Sequence, residues 1–321
     1  MRYRQFGRLG WQVSEIGYGM WGMGGWSGSD DQQSLAALDR AIAQGCNFFD
    51  TAWAYGQGHS EKLLGQTLRA HAGERLIVAT KIPPKNQTWP GKAETPIADA
   101  FPPDHIREYT EKSLKNLGVE TIDLQQLHVW SDAWASDAGW QRSVRELKEG
   151  GLVRGFGISV NRWQPANVLR ALDTGLVDSV QVVYNIFDQA PEDTLFPYCE
   201  KHGIAIIARV PFDEGSLTGT LDAQSKWPDG DFRKVYFSPE NLASTLEHVE
   251  RLMPLVPDGM KLPELALRFI LQQPAVSTTI PGMRKVTHVE RNVAVSDGEQ
   301  LPDRLLGALR AHRWDRSVEI P

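Results

Sequence analysis

Eight short apolar runs recur along the chain, and amphipathic segments lie between them. Near-continuous apolar runs rich in Val and Ile indicate strands that are buried on both faces, as in a parallel sheet. Strand and helix alternating eight times favour a (β/α)8 TIM barrel over an open sheet. We therefore expect one α/β barrel domain over residues 1–321. The runs are Ser14–Gly19, Asn47–Asp50, Leu76–Lys81, Ile122–His128, Val153–Ser159, Asp178–Tyr184, Ile204–Val210 and Ser277–Pro281.

The segments between the runs carry helix and loop signals. Ser29 opens a sequence that resembles a capping box, and Ser60 precedes a second amphipathic stretch, so both are predicted helix caps. Residues 1–12 contain two glycines between β-prone stretches and predict an additional N-terminal hairpin. The stretch between Val210 and Ser277 is longer than an ordinary crossover, which predicts a long functional loop at the C-terminal face of the barrel.

Composition excludes several classes of protein. Charged residues make up 23% of the chain and the net charge is −6, which argues against a nucleic-acid or membrane-surface binder. No apolar run approaches the roughly 20 residues that a membrane span needs. The two cysteines, Cys46 and Cys199, lie in apolar surroundings and are expected to be buried and reduced. Since the opening residues also lack the apolar segment of a secretory signal, we expect a cytoplasmic protein.

Polar side chains stand at the ends of the predicted strands, where a barrel carries its active site. Asp50, Lys81 and His128 each end a run, and Tyr55 follows Asp50 by five residues. Any one of them alone is more often a solvated or packed side chain than a catalyst. Their joint occurrence on one rim predicts a catalytic site.

These four groups suit one kind of chemistry. A phenol with a pKa of about 10 is a poor acid near neutral pH. A neighbouring ammonium such as Lys81 favours the phenolate, and Asp50 would hold that ammonium charged and in place. Neutral His128 could donate a hydrogen bond to a substrate oxygen beside the Tyr55 phenol, so that the pair would protonate or polarise a carbonyl oxygen. No pattern in the sequence offers a metal site.

The same residues carry a resemblance that covers nearly the whole chain in order. The matching segments are Asn47-Phe48-Phe49-Asp50-Thr51-Ala52-x-x-Tyr55-Gly56, Ala79-Thr80-Lys81, Asp123-Leu124-x-x-Leu127-His128, Gly155-Phe156-Gly157-Ile158-Ser159, Gln181-x-x-Tyr184-Asn185 and Ile280-Pro281-Gly282. They resemble the aldo-keto reductases, most closely the shorter-loop bacterial and channel-β-subunit-like branch. The resemblance implies a barrel that reduces aldehydes and ketones with NADPH. It makes Tyr55 the general acid, Lys81 and Asp50 the groups that tune it, and His128 the group that orients the carbonyl.

The resemblance also implies a cofactor site. Ser159 and Gln181 would bind the nicotinamide carboxamide, and Tyr184 would stack on the ring. Asn161 is a further carboxamide candidate, although Val160 separates it from Ser159 where the family usually has the two adjacent. The complete expected set is Gly19, Met20, Trp21, Asp50, Ser159, Asn161, Gln181, Tyr184, Val210, Pro211, Phe212, Gly215, Leu217, Gly219, Gly282, Met283, Arg284, His288 and Asn292.

The expected phosphate contacts concern two segments. The loop that begins at Val210 resembles the segment that holds the pyrophosphate, although Ser is usual at that position, which leaves backbone contacts. Arg284 is the candidate for the 2′-phosphate because a guanidinium fork matches phosphate geometry. His288 and Arg291 stand where relatives often carry Gln and Glu, and this favours NADPH over NADH.

A second glycine motif at residues 17–22 fits Gly-x-Gly-x-x-Gly. A dinucleotide-binding fold of the Rossmann type requires the glycines to open a helix immediately. Here the loop continues until about Asp30, which argues against that fold. The barrel interpretation instead places Gly19, Met20 and Trp21 on the active-site rim.

The substrate is not determined by these patterns. The chain has 11 tryptophans, and the expected pocket is shaped by Trp21, Trp53, Trp89 and Trp130, which could take small apolar, planar or sugar-derived carbonyls. Two alternatives to a carbonyl reductase stay open at this stage. One is an NADP(H)-binding regulatory subunit with little turnover, and the other is a sugar-phosphate barrel enzyme that uses no nucleotide. No pattern predicts the oligomeric state.

Overall fold

The computed structural model describes residues 1–25 and 28–316 of the chain. An antiparallel hairpin of β1 and β2 precedes a parallel sheet in which β3 to β10 pair in chain order. The predicted (β/α)8 barrel with an N-terminal hairpin is confirmed. The strands are β1 Tyr3–Phe6, β2 Trp11–Ser14, β3 Tyr18–Gly19, β4 Phe48–Asp50, β5 Ile77–Ile82, β6 Ile122–Leu127, β7 Val153–Ser159, β8 Ser179–Val183, β9 Ala205–Arg209 and β10 Val276–Thr279.

Helices surround this sheet, and short 3-10 turns join several of the elements. Three helices, α8 to α10, fall within the long stretch that separates β9 from β10. The helices are α1 Asp31–Ala43, α2 His59–Ala70, α3 Ile97–Ala100, α4 Pro103–Leu117, α5 Ala138–Glu149, α6 Leu169–Asp173, α7 Leu195–His202, α8 Phe232–Tyr236, α9 Pro239–Leu252, α10 Leu262–Leu271, α11 Val286–Ala294 and α12 Asp303–Arg310.

The barrel closes through backbone contacts between its first and last strands. Gly19 forms a parallel bridge with Gly282, and the Gly17 amide donates to the Thr279 carbonyl over 2.8 Å. A Cβ on Gly19 would lie 2.4 Å from the Ile280 carbonyl oxygen, so only glycine allows this approach. Gly17 and Gly19 of the rejected Rossmann motif therefore serve barrel closure.

The hairpin covers the N-terminal end of the barrel. Phe6 is fully buried and packs against Trp11 and Phe48, with ring centroids 5.5 and 5.4 Å away. Ser14 pairs with Tyr3, so it belongs to the hairpin and not to the first barrel strand as predicted. The hairpin fills the end of the barrel that lies opposite the site.

Both predicted helix caps are wrong. Asp30, and not Ser29, caps α1, because its carboxylate accepts a hydrogen bond from the Gln33 amide over 2.7 Å. Ser60 lies inside α2, where its hydroxyl bonds to the Thr51 hydroxyl over 2.8 Å. Ser60 therefore holds the loop that follows β4, which also carries Tyr55, instead of satisfying a helix end.

Candidate active site

Asp50, Tyr55, Lys81 and His128 meet at the C-terminal rim of the barrel. The Lys81 ammonium donates to the Asp50 carboxylate over 2.5 Å and to the Thr51 carbonyl over 2.8 Å. The ammonium nitrogen lies 5.2 Å from the centre of the Tyr55 ring. The rings of Tyr55 and His128 meet edge to face with centroids 5.8 Å apart. The four side chains that were predicted to share one rim thus form one cluster.

The ion pair of this cluster is fully enclosed. The side chains of Lys81 and Asp50 are 0% and 3% exposed. The other Asp50 oxygen accepts hydrogen bonds from Gln181 over 2.7 Å and from Gln126 over 3.3 Å. A buried ion pair is retained only where further hydrogen bonds satisfy its remaining polar atoms, and these amides do so.

The backbone after β4 holds Tyr55 in place. Gly56 has a φ of 65°, and a Cβ there would lie 2.2 Å from the Gly24 carbonyl oxygen. The Trp53 amide donates to the Lys81 carbonyl over 3.2 Å, which ties this loop to β5. A side chain at position 56 would therefore displace the phenol that precedes it.

The electrostatic environment keeps Tyr55 protonated. Burial raises the pKa of Tyr55 above the ordinary 10.0, the Asp50 charge raises it further, and the cations of Lys81 and Arg209 lower it. The expected lowering by Lys81 is present, but burial outweighs it. The phenol is thus an un-ionised proton donor at neutral pH.

His128 is held neutral by its surroundings. Burial lowers the pKa of His128 well below 6.5, and the nearby cations of Lys81 and Arg209 act in the same direction. Its Nδ1 is enclosed and has no hydrogen-bond partner among the described residues. A neutral imidazole that lines the cavity beside Tyr55 can bind a substrate oxygen without adding a charge.

A cavity of about 1770 Å³ opens directly above this cluster. Ligand pockets commonly measure about 300–1,000 Å³, so the cavity has room for a dinucleotide together with a small substrate. Lys81 lies beneath the floor. Residues of the expected set that line the cavity are Gly19, Met20, Trp21, Asp50, Tyr55, Trp89, His128, Ser159, Asn161, Gln181, Val210, Pro211, Phe212, Gly215, Gly282, Met283, Arg284 and His288.

Tyr184 does not reach this cavity. It is 1% exposed and packs between Phe196 on α7 and Phe269 on α10, with ring centroids 4.9 and 5.7 Å away. Its hydroxyl donates to Glu192 over 2.5 Å. Tyr184 therefore packs against the surrounding helices, where it cannot stack on a ligand in the cavity. Leu217, Gly219 and Asn292 also lie outside the lining.

The loop after β9 has a strained backbone that an ionic cluster stabilises. Val210, Asp213 and Glu214 have φ values of 56°, 45° and 56°, which is costly for residues other than glycine. Arg162 donates to Asp213 over 2.6 Å and to Glu214 over 3.0 Å. Arg316 also pairs with Asp213. The loop is therefore held by Arg162, which follows β7, and by Arg316 in the C-terminal segment.

The predicted substrate tryptophans separate into two groups. Trp21 and Trp89 are each 40% exposed and line the cavity, and Trp89 lies edge-on to His128 at 4.6 Å. Trp130 is fully buried against Trp134 and Trp140 at 5.6 and 5.2 Å. Trp53 packs on Tyr109 at 4.7 Å and lies outside the lining. Trp163, which is not one of the four predicted tryptophans, also lines the cavity.

Sequence reasoning missed Gln126 and Arg162 as site residues, and it placed Arg209 at a strand end without giving it a role. Strand alternation indicates that Gln126 and Arg209 both face the barrel interior, because residues two apart point to the same side of a strand. On β6 the parity that buries Leu124 inside the barrel also directs Gln126 and His128 inward. On β9 the same alternation directs Ala205, Ile207 and Arg209 into the barrel. On β8 it directs Gln181 into the barrel and Tyr184, three residues later, towards the outside. Arg162 lies in a loop and carried no such signal.

Neither a metal centre nor a membrane span is found in the described part of the chain. No group of three or more His, Cys, Asp or Glu in residues 1–25 and 28–316 is arranged to hold a metal ion. None of the helices within those ranges has the length and apolar character needed to cross a membrane.

Comparison with known proteins identifies the family. The family model described as the aldo/keto reductase family matches residues 15–313. The chain belongs to the aldo/keto reductase family. The chain is 29% identical over 312 residues to the uncharacterized oxidoreductase YqkF of Bacillus subtilis (strain 168), covering 97% of this chain and 96% of that protein. It is 30% identical over 294 residues to the NADH-specific methylglyoxal reductase of Escherichia coli (strain K12), covering 88% and 89%.

Solved structures share the fold of this aldo/keto reductase. The holo form of the aldo-keto reductase AKR11C1 from Bacillus halodurans has a TM-score of 0.77 and 25% identity, covering 99% of this chain and 98% of that one. An aldo/keto reductase from Klebsiella pneumoniae, solved with NADP and acetate, has a TM-score of 0.71 and 23% identity, covering 100% and 99%. The predicted family and the barrel are therefore confirmed.

Proposed function

We propose that this aldo/keto reductase reduces aldehyde or ketone carbonyls to alcohols with NADPH. The observation that carries the proposal is the position of the Tyr55 phenol, which lies between the buried Lys81–Asp50 pair and His128 at the floor of the cavity. A regulatory subunit that only binds the cofactor would not need this arrangement. The cluster is what a carbonyl oxygen requires as negative charge develops on it.

Each residue of the cluster has one role in this mechanism. Tyr55 donates its phenolic proton to the carbonyl oxygen, and His128 orients that oxygen by a hydrogen bond. Lys81 stabilises the phenolate that remains, because its ammonium is fixed by Asp50 over 2.5 Å. Gln126 and Gln181 hold the Asp50 carboxylate, so the charge that positions Lys81 is itself positioned.

The residues around the cavity fit a nicotinamide dinucleotide. Ser159 and Gln181 are suited to bind the carboxamide, and Arg284 and His288 line the cavity where the adenosine end is expected. The strained loop beginning at Val210 offers backbone groups for the diphosphate. When bound, NADPH would supply the hydride. The Klebsiella pneumoniae structure with NADP and acetate is consistent with this assignment.

The substrate end of the cavity favours small carbonyl compounds. Trp89 covers His128, and Trp21 and Trp163 add further aromatic surface to the lining. The E. coli relative is named for methylglyoxal, a small 2-oxo-aldehyde. The experiment that tests the proposed function is a screen of NADPH consumption over aliphatic, aromatic and sugar aldehydes, ketones and 2-oxo-aldehydes. Tight NADPH binding with no turnover of any carbonyl would favour the regulatory alternative.

The pH dependence of reduction follows from Tyr55 and His128. Reduction needs protonated Tyr55, whose pKa is raised above 10.0, and neutral His128, whose pKa is lowered well below 6.5. We expect kcat/KM for carbonyl reduction to be flat between about pH 6.5 and 10, and to fall as pH rises through the Tyr55 pKa or drops through that of His128. An acid limb centred near pH 7 in a pH–rate profile would contradict the assignment of neutral His128.

Arg284 is expected to select NADPH over NADH. A charge-assisted hydrogen bond is worth about 1.5–3 kcal/mol, so Arg284→Ala should raise the Kd for NADPH by about tenfold or more and leave the Kd for NADH unchanged. Isothermal titration calorimetry measures both constants. Arg154→Ala is the control, because Arg154 lies at the opposite end of β7 and is 56% exposed. Equal affinity of the wild type for the two nucleotides would refute this selectivity.

A further inference from the structure

Arg209 brings an additional cation to the cavity. It is the last residue of β9, and its side chain lines the cavity. One guanidinium nitrogen, Nη2, donates to the Val160 carbonyl over 3.1 Å. Its Nε is enclosed and has no hydrogen-bond partner among the described residues. The side chain is therefore anchored beside the end of β7 while it lines the cavity.

The charge of Arg209 also lacks a direct counter-ion. In residues 1–25 and 28–316, Arg209 forms no ion pair, whereas Arg162 nearby pairs with three carboxylates. Burial lowers the pKa of Arg209 and the Arg162 cation lowers it further, whereas the charges of Glu214 and Asp50, which do not bond to it, raise it; a guanidinium stays protonated at neutral pH. Because a buried cation without a partner is unfavourable, its retention in a cavity wall points to an effect on the ligand.

The strand order defines which part of the ligand Arg209 faces. Ser159 and Arg209 end β7 and β9, and Gln181 on the intervening strand β8 pairs with Ser159 and lies two residues before Val183, the partner of Arg209. Arg209 lies close enough to Tyr55 and Asp50 for the charges to influence one another. If Ser159 and Gln181 hold the carboxamide as proposed above, then Arg209 places its charge beside the nicotinamide ring.

We propose that Arg209 makes this enzyme bind reduced cofactor in preference to oxidised cofactor. The inference rests on the proposed function. The oxidised nicotinamide ring carries a positive charge and the reduced ring carries none, while the rest of the molecule is the same in both forms. Arg209 therefore repels only the oxidised form, and this repulsion is strong where water is excluded. Weaker binding of NADP⁺ favours its release after carbonyl reduction.

The ratio of two dissociation constants tests the proposal. Isothermal titration calorimetry gives the Kd for NADPH and for NADP⁺ in the wild type, Arg209→Met, Arg209→Lys and the control Arg154→Met. We expect the ratio of the NADP⁺ Kd to the NADPH Kd to fall about tenfold in Arg209→Met, mainly because NADP⁺ binds more tightly. Arg209→Lys should keep most of the ratio, and Arg154→Met should keep all of it.

Other outcomes would overturn the inference. Equal weakening of both nucleotides in Arg209→Met would assign Arg209 to the diphosphate, which the two forms share. An unchanged ratio with a raised KM only for carboxylate-bearing carbonyls would assign it to the substrate. Arg209→Gln replaces Arg209→Met if thermal melting shows that the latter is unfolded. A wild type that binds neither nucleotide refutes the proposed function as well, whereas binding and turnover with an unchanged ratio refute only the role of Arg209.

Discussion

Replacing Tyr55 with Phe is expected to lower kcat/KM for carbonyl reduction by about 10²- to 10⁴-fold, the range that general acid catalysis contributes. The substitution removes the phenolic oxygen beside Lys81 and His128 and leaves the ring that packs against them. The Kd for NADPH should therefore change little. Steady-state kinetics with an aldehyde identified in the screen, together with calorimetric titration of NADPH, measures both quantities.

Tyr198→Phe is the matched control for this prediction. Tyr198 lies on α7, stacks on His202 and donates its hydroxyl to Asp173, outside the cavity lining. The same chemical change at this position should leave turnover within experimental error of the wild type. Undiminished turnover by Tyr55→Phe would show that the proton comes from another group, and the role assigned to Tyr55 would be abandoned.

Replacing Lys81 with Met should destabilise the protein by about 3–5 kcal/mol, because it leaves the Asp50 carboxylate buried without a counter-ion. Carbonyl reduction should also be lost, since no cation then stabilises the Tyr55 phenolate. Urea unfolding followed by tryptophan fluorescence gives the free energy of unfolding. Lys62→Met on the exposed face of α2 is the control and should change this free energy by about 0.5 kcal/mol or less.

The double variant Asp50→Asn with Lys81→Met separates the two effects of Lys81. Removal of both charges should restore most of the lost stability, since neither partner is then left charged in the interior. Activity should stay at the level of the single variant. If the double variant regained turnover together with stability, Lys81 would be a structural residue only. If Lys81→Met were as stable as the wild type, the buried Asp50 carboxylate would not need Lys81 as its counter-ion.

The amino-acid sequence by itself determined the barrel. Val- and Ile-rich runs that alternate with amphipathic segments can bury their side chains on both faces only in a parallel sheet covered by helices. Seven of the predicted strands recur in the structure with ends shifted by at most two residues, and the first is shortened because Ser14 joins the hairpin. Strand order also brings Asp50, Lys81 and His128 to one rim, so this part of the site was predictable from position alone.

The tertiary structure decided which of the candidate aromatic and charged side chains face the cavity. Trp130 is a tryptophan like Trp89, and Tyr184 is a tyrosine like Tyr55. Trp89 and Tyr55 line the cavity, whereas Trp130 and Tyr184 fill space between helices and strands. Local sequence does not distinguish a ring that lines a cavity from one that fills the layer behind it, because both surroundings are apolar. Packing against neighbours distant in sequence settles this choice.

The ionic cluster around Asp213 is the clearest case in which only the tertiary structure was informative. Arg162, Asp213 and Arg316 belong to three segments far apart in the sequence, and none of them stands in a motif that predicts its partners. The interaction energy of two such charges depends on the distance between them and on their burial, and both are set only when the chain folds. The sequence therefore determined the barrel and the candidate catalytic residues on its rim, whereas folding decided how the loop after β9 is held and which cations face the cavity.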